Sequence, residues 1–210
     1  MRQAALAGMV AAFLVLVTGC TAGPVASGAG SSPSPTSDAT PTVQITLDDG
    51  DLLDPSQEAA WADPLAGQVG YTVLTTDEGD GSWSYTAEDT GCTIGYWHGP
   101  LAETDAASGD SAASDALLAA QFGATPEELG AYADQNAGPF RTPSELVETR
   151  AVAGADADAG TTYLIAARAF TALGTGFVAT LECPADKNVA VEWAKLGMVQ
   201  HAFDLVFAAG

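Results

Sequence analysis

The sequence predicts a single α+β domain built on an antiparallel sheet of about six strands, and three observations carry that expectation. Short segments of alternating apolar residues follow one another between residues 69 and 98, separated by polar, glycine-bearing turns. An alanine- and leucine-rich stretch with a helix-start signature occupies the middle of the chain. A second group of strand-like segments then precedes apolar residues at helical spacing near the C-terminus. Strands, helices, strands and a helix in that order read as a layered α+β domain.

Taken in order, Val43, Ile45 and Leu47 alternate with polar residues and predict a short leading strand or extended arm, broken by Asp48-Asp49-Gly50-Asp51. Ser56 to Ala62 reads as a short helical turn carrying Trp61. Strands are predicted over Val69 to Thr75, Ser82 to Ala87, with Trp83 and Tyr85 on one face, and Cys92 to His98. The turns at residues 76–81 and 88–91 make these three an antiparallel meander. Ser111 to Phe122 predicts a helix, and Thr125-Pro126-Glu127-Glu128 opens another, with threonine as the cap, proline in the first turn and glutamate reaching back. That helix should stop near Asn136-Ala137-Gly138-Pro139. Leu146 to Ala153, Thr161 to Ala172 and Thr175 to Cys183 predict three further strands. From Lys187 to Ala208, Val189, Trp193, Leu196, Phe203 and Phe207 predict one long amphipathic helix packed on the sheet.

The first nineteen residues differ in kind from the rest. Met1-Arg2-Gln3 precedes an apolar run from Ala4 to Val17, then Thr18-Gly19-Cys20, which places the charged, apolar and small-residue regions of a secretory signal in order. A spanning helix needs about 20 apolar residues, more than this run supplies, so export with cleavage is expected. Val17-Thr18-Gly19-Cys20 resembles the lipobox of bacterial lipoproteins, an aliphatic residue and two small ones before a cysteine. The resemblance implies a diacylglyceryl group on the Cys20 thiol, cleavage between Gly19 and Cys20, and acylation of the new amino terminus. Two or more acyl chains, each contributing about 0.8 kcal/mol per buried methylene, make a durable membrane anchor without a spanning helix. Residues 20–45 are rich in Ala, Gly, Ser, Pro and Thr, with Ser32-Pro33-Ser34-Pro35-Thr36 at the centre, and read as a tether. Residues 46–210 then form one extracytoplasmic domain, large enough to bury about 70% of its unfolded surface.

Six Lys and Arg face 27 Asp and Glu, a formal net charge of −21; cleavage removes the +1 of Arg2 and no acid, leaving −22. So acidic a surface excludes nucleic acid and anionic lipid headgroups as partners that want basic patches. The scarcity of lysine, the abundance of alanine and glycine, and the lipobox together resemble a secreted protein of a high-GC actinobacterium. With Cys20 assigned to lipid, Cys92 and Cys183 remain; both lie in strand-like contexts of an exported chain, and a disulfide between neighbouring strands is expected.

The element order from Val69 to Gly210, the early Trp83 and the closing helix are similar to the Mog1/PsbP-like fold that some actinobacterial envelope lipoproteins share. That resemblance implies an architecture and no site.

A search for catalytic constellations in the sequence leads to none. There is no Gly-x-Ser-x-Gly elbow, and Gly81-Ser82-Trp83 belongs to a hairpin. His98, at a strand end, and His201, on the closing helix, lie in no catalytic motif. The acidic turns Asp77-x-Gly79-x-Gly81 and Asp156-x-Asp158-x-Gly160 lack the ligand positions of a calcium loop, and no His/Cys spacing suits zinc, so no metal and no cofactor are expected. Trp83, Tyr85, Tyr96 and Trp97 fall on two adjacent strands, where they either form the buried face of a sheet or line an apolar groove that stacks on a sugar. The expectation is therefore a membrane-anchored envelope lipoprotein without catalytic activity, binding a protein partner or an apolar or glycan ligand. The alternative is a small hydrolase or transferase of envelope polymers using paired carboxylates, which requires a cleft with two converging acids, one of raised pKa.

Overall fold

A computed structural model describes residues 44–48, 53–133 and 138–209 of the chain. Cys20, the signal segment, nearly all of the proposed tether and the predicted helix stop at residues 136–137 lie outside the described residues. The chain enters the fold at β1 (Gln44–Ile45), followed by β2 (Gln57–Trp61), β3 (Tyr71–Thr75), β4 (Ser82–Ala87) and β5 (Thr93–Pro100). Helices α1 (Glu103–Ala106), α2 (Asp110–Gln121) and α3 (Pro126–Ala133) come next. Then follow β6 (Phe140–Arg141), β7 (Leu146–Val147), β8 (Arg150–Asp156), β9 (Thr161–Phe170), β10 (Thr175–Pro184), α4 (Val189–Val199) and β11 (Leu205–Ala209).

Six strands form one antiparallel sheet in the order β3-β4-β5-β10-β9-β8. The architecture is the expected single α+β domain with an antiparallel sheet and helices packed on it. The capping box at α3 is reciprocal: Thr125 N–H donates to Glu128 Oε2 at 2.8 Å, and Glu128 N–H to Thr125 Oγ1 at 3.4 Å. Alternation sends successive side chains to opposite faces. On one face Leu118 of α2 packs on Val152, Ala167 and Val178, with Trp97, Leu117 and Leu129 around them. The larger core lies on the other face, where Tyr85, Ile94, Tyr96, Leu164, Phe177 and Leu181 meet Trp193 and Leu196 of α4.

Three elements differ from expectation. Residues 56–62 form no helical turn: β2 pairs antiparallel with β11, Trp61 opposite Leu205 and Ala59 opposite Phe207. Its Gln, Glu and Ala favour a helix locally, and the bonds of the two-stranded ribbon override that preference. The predicted long closing helix is an eleven-residue α4, followed by a turn and β11. His201, at φ 55° in the left-handed region, reverses the chain and belongs to this turn; Ala202 N–H donates back to the Leu196 carbonyl at 3.1 Å. The stripe nevertheless packs as core: Trp193 and Phe203 stack with ring centroids 3.9 Å apart. The strand predicted over Leu146 to Ala153 is two strands in different sheets, because β7 joins β1 and β6 while β8 closes the large sheet. At the switch, Thr149 Oγ1 donates to the Gly138 carbonyl at 2.8 Å and Glu148 Oε2 accepts from Leu47 N–H at 2.9 Å.

Candidate functional site

The four aromatic residues singled out by the sequence do not share a face. Trp83 opposes Tyr96, Tyr85 opposes Ile94, and Ser82 opposes Trp97 across the β4–β5 ladder. Trp83, Tyr85 and Tyr96 therefore lie on the face of the larger core and Trp97 on the face packed by α2, since neighbours along a strand point in opposite directions.

Within the trio the hydrogen-bonding groups are spent unequally. Tyr96 is buried and its hydroxyl donates to the Ala202 carbonyl at 3.0 Å. Tyr85 is buried and its hydroxyl meets both oxygens of Asp63, at 3.0 and 2.9 Å. Asp63 takes φ 45°, a left-handed conformation that aspartate tolerates, just after β2. Burial first, then the bond and negative charge of Asp63, push the Tyr85 hydroxyl up to about 12. The Trp83 indole N–H faces the same hydroxyl and opposes that shift, yet it is buried without a hydrogen bond of normal geometry.

Trp83 is only half-buried; it stacks on Tyr96 with centroids 5.3 Å apart and meets His98 edge-on at 5.7 Å. His98 in turn lies over Phe177 at 6.2 Å, and its Nδ1 is buried with no hydrogen-bond partner. Trp61 completes the cluster, edge-on to Tyr96, Phe140 and Phe177, its own indole N–H donating to the Trp97 carbonyl at 3.1 Å. Above these rings opens a groove of about 420 Å³, walled by Trp61, Asp63, Val73, Asp77, Trp83, Tyr85 and His98. Such a site offers a flat aromatic surface for an apolar body, with the carboxylates of Asp63 and Asp77 at its wall.

The carboxylates around this groove are engaged. Asp77 Oδ1 accepts from the amides of Gly79 at 2.7 Å and Gly81 at 3.0 Å, and these bonds hold its carboxyl below the usual carboxylate range. That is the reverse of what a general acid requires. Asp156 Oδ1 likewise accepts from the amides of Asp158 and Ala159, both at 2.9 Å. Both acidic loops are turns closed by their own aspartates. Among the described residues, no three His, Cys, Asp or Glu side chains are placed to hold a metal ion.

Cys92 and Cys183 form a disulfide, with Cα atoms 4.2 Å apart, joining the start of β5 to the end of β10. It ties the two strands at the end of their ladder where Glu182 opposes Thr93.

Sequence reasoning found Trp83, Tyr85 and His98 but not the wall they share with Trp61 and Asp63. Those two arrive with β2, whose strand partner among the described residues is β11, about 145 residues away. No protein-family model matches the chain, and no curated protein matches its sequence.

Proposed function

We propose that the chain is an envelope lipoprotein, anchored by lipid on Cys20 at the extracytoplasmic face of the cell membrane, whose α+β domain is a binding module without catalytic activity. The observation that carries the binding half is Trp83: a half-buried indole on the floor of the groove, its N–H without a regular acceptor, beside the unpartnered Nδ1 of His98. An apolar or sugar ring stacked on the exposed part of Trp83, or an apolar side chain of a protein partner, covers these rings. The anchoring half rests on Val17-Thr18-Gly19-Cys20. Among the described residues no helix is long and apolar enough to cross a membrane. We read the domain as Mog1/PsbP-like in architecture, which supplies a scaffold and leaves the ligand to be found.

Native and denaturing mass spectrometry of the mature protein, purified from its own membrane, tests both halves. Lipid mass on Cys20 and a co-purifying mass that disappears in the Trp83→Ala variant are expected. Cys20→Ala should release the protein to the medium, and its retention in the membrane fraction refutes the anchor. Carriage of the same ligand by wild type and Trp83→Ala refutes the groove.

A further inference from the structure

Strand β3 ends the six-stranded sheet: β4 lies on one side, and no described strand lies on the other. Glu88 N–H donates to the Gly70 carbonyl at 2.9 Å, and the register continues through Tyr71 with Ala87, Thr72 with Thr86 and Val73 with Tyr85. Bonded pairs alternate in an antiparallel ladder, so Thr72 makes the next bonds to β4 and the amide and carbonyl of Val73 face the open edge. A shift of register between Val73 and Thr75 ends the regular edge there. Edges are ordinarily blunted by charge or proline, but Gly70-Tyr71-Thr72-Val73-Leu74-Thr75-Thr76 has neither. Val73 and Leu74 are 51% and 57% exposed.

The charged groups beside Val73 have one sign, whereas at the start of the strand Tyr71 lies against Lys195 as well as Asp89 and Glu192. Val73 walls the aromatic groove, with Asp63 and Asp77, and also a second hollow of about 630 Å³, with Glu78 and Asp80; no Lys or Arg lines either. A second copy of the mature chain, itself carrying −22, is repelled from this surface, and so is nucleic acid.

Building on the reading of the domain as a binding module, we propose that the β3 edge takes up an extended, lysine- or arginine-bearing segment of a partner protein by strand addition. Main-chain bonds at Val73 supply the pairing and the acids on either side select the charge.

The test is titration of the mature, detergent-solubilised chain at low salt with a short alternating Lys-Val peptide, followed by tryptophan fluorescence and by hydrogen exchange at the Val73 amide. Binding that protects this amide and weakens with added salt is expected. The same peptide with N-methylated backbone amides keeps every charge and loses the ladder, and should bind about tenfold more weakly or worse. Val73→Pro should reproduce that loss. Equal binding of the N-methylated peptide, binding of a Glu-Val peptide, or no binding of the Lys-Val peptide overturns the proposal. Trp83→Ala separates it from the groove reading. If the peptide protects Val73 equally well in that variant, which also keeps its co-purifying mass, the edge stands and the groove falls. If the peptide fails while a co-purifying mass still depends on Trp83, the edge falls and the groove stands.

Discussion

The guanidinium of Arg168 donates to the carboxylate of Asp110 at 2.8 Å, and neither side chain is exposed to solvent. Asp110 opens α2 and also accepts from the amide and hydroxyl of Thr171, at 2.7 and 2.6 Å; Arg168 reaches the carbonyls of Thr46 at 2.9 Å and Glu148 at 3.3 Å. The pair thus joins α2, β9, the entry of the chain and the β7–β8 switch. Removing one member of such a pair leaves a charge buried among groups that no longer match it. Asp110→Ala should cost about 3 to 5 kcal/mol, read from urea unfolding, and Asp110→Asn less, because an amide oxygen still accepts from Thr171. A loss under about 1 kcal/mol for Asp110→Ala refutes the assignment.

The disulfide between Cys92 and Cys183 closes a sequence separation of 91 residues. In the chain-entropy account a loop of that length stabilises by about 4 to 5 kcal/mol. Reduction, or the Cys92→Ser/Cys183→Ser double variant, should lower the urea midpoint and steepen the transition, because the unfolded chain without the cross-link is more expanded. Equal midpoints in oxidised and reduced protein contradict that expectation.

The meander from β3 to β5 and the start of α3 were legible because their signals are local: alternation between turns, and a cap three residues from its glutamate. The end of the chain was not. Phe203 and Phe207 are four apart, a spacing that satisfies both the helical period and the strand period, so the stripe from Trp193 runs on without a visible break. Leu205, fully buried between them, marks the period of two. The ribbon of β2 and β11 carries Trp61, and with it the wall of the groove, so the misreading of the two strands hid half of the site. Tyr96 and Trp97 are adjacent in the sequence, which in a strand is the arrangement that separates two side chains. The cysteine pair was legible because assigning Cys20 to lipid left one connectivity.

Gly81 holds the β3–β4 hairpin against β5. At φ +76° its carbonyl accepts from His98 N–H at 3.0 Å, and a Cβ there would collide with the His98 carbonyl oxygen. Gly79, at φ +99°, has open space around it. Gly79→Ala should therefore carry only backbone strain, about 1 kcal/mol, whereas Gly81→Ala should cost more than about 2 kcal/mol. Because β5 must shift to admit the methyl, Gly81→Ala should also change the near-ultraviolet circular dichroism of the Trp83 and His98 contact. Equal costs for the two substitutions would show that the close approach at His98 yields freely.

Tyr85 predicts how the domain fails at high pH. Burial and Asp63 raise its hydroxyl from 10.0 to about 12, and burial raises buried Tyr96 well above 10.0. Between these limits the unfolded chain has released its phenolic protons while the folded chain retains them, so the unfolded state binds fewer protons and stability falls as pH rises. The contribution is fully present below pH 10 and is lost on the way to about 12, at up to about 1.4 kcal/mol per pH unit for each tyrosine. Tyr85→Phe removes one of these groups together with its bonds to Asp63. It should be less stable than wild type at neutral pH, with a shallower decline between pH 10 and 12 that Tyr96 still sustains. Urea midpoints measured across that range decide it: parallel declines in the two proteins would show that the Tyr85 hydroxyl ionises as easily folded as unfolded, and that its contact with Asp63 does not hold the proton.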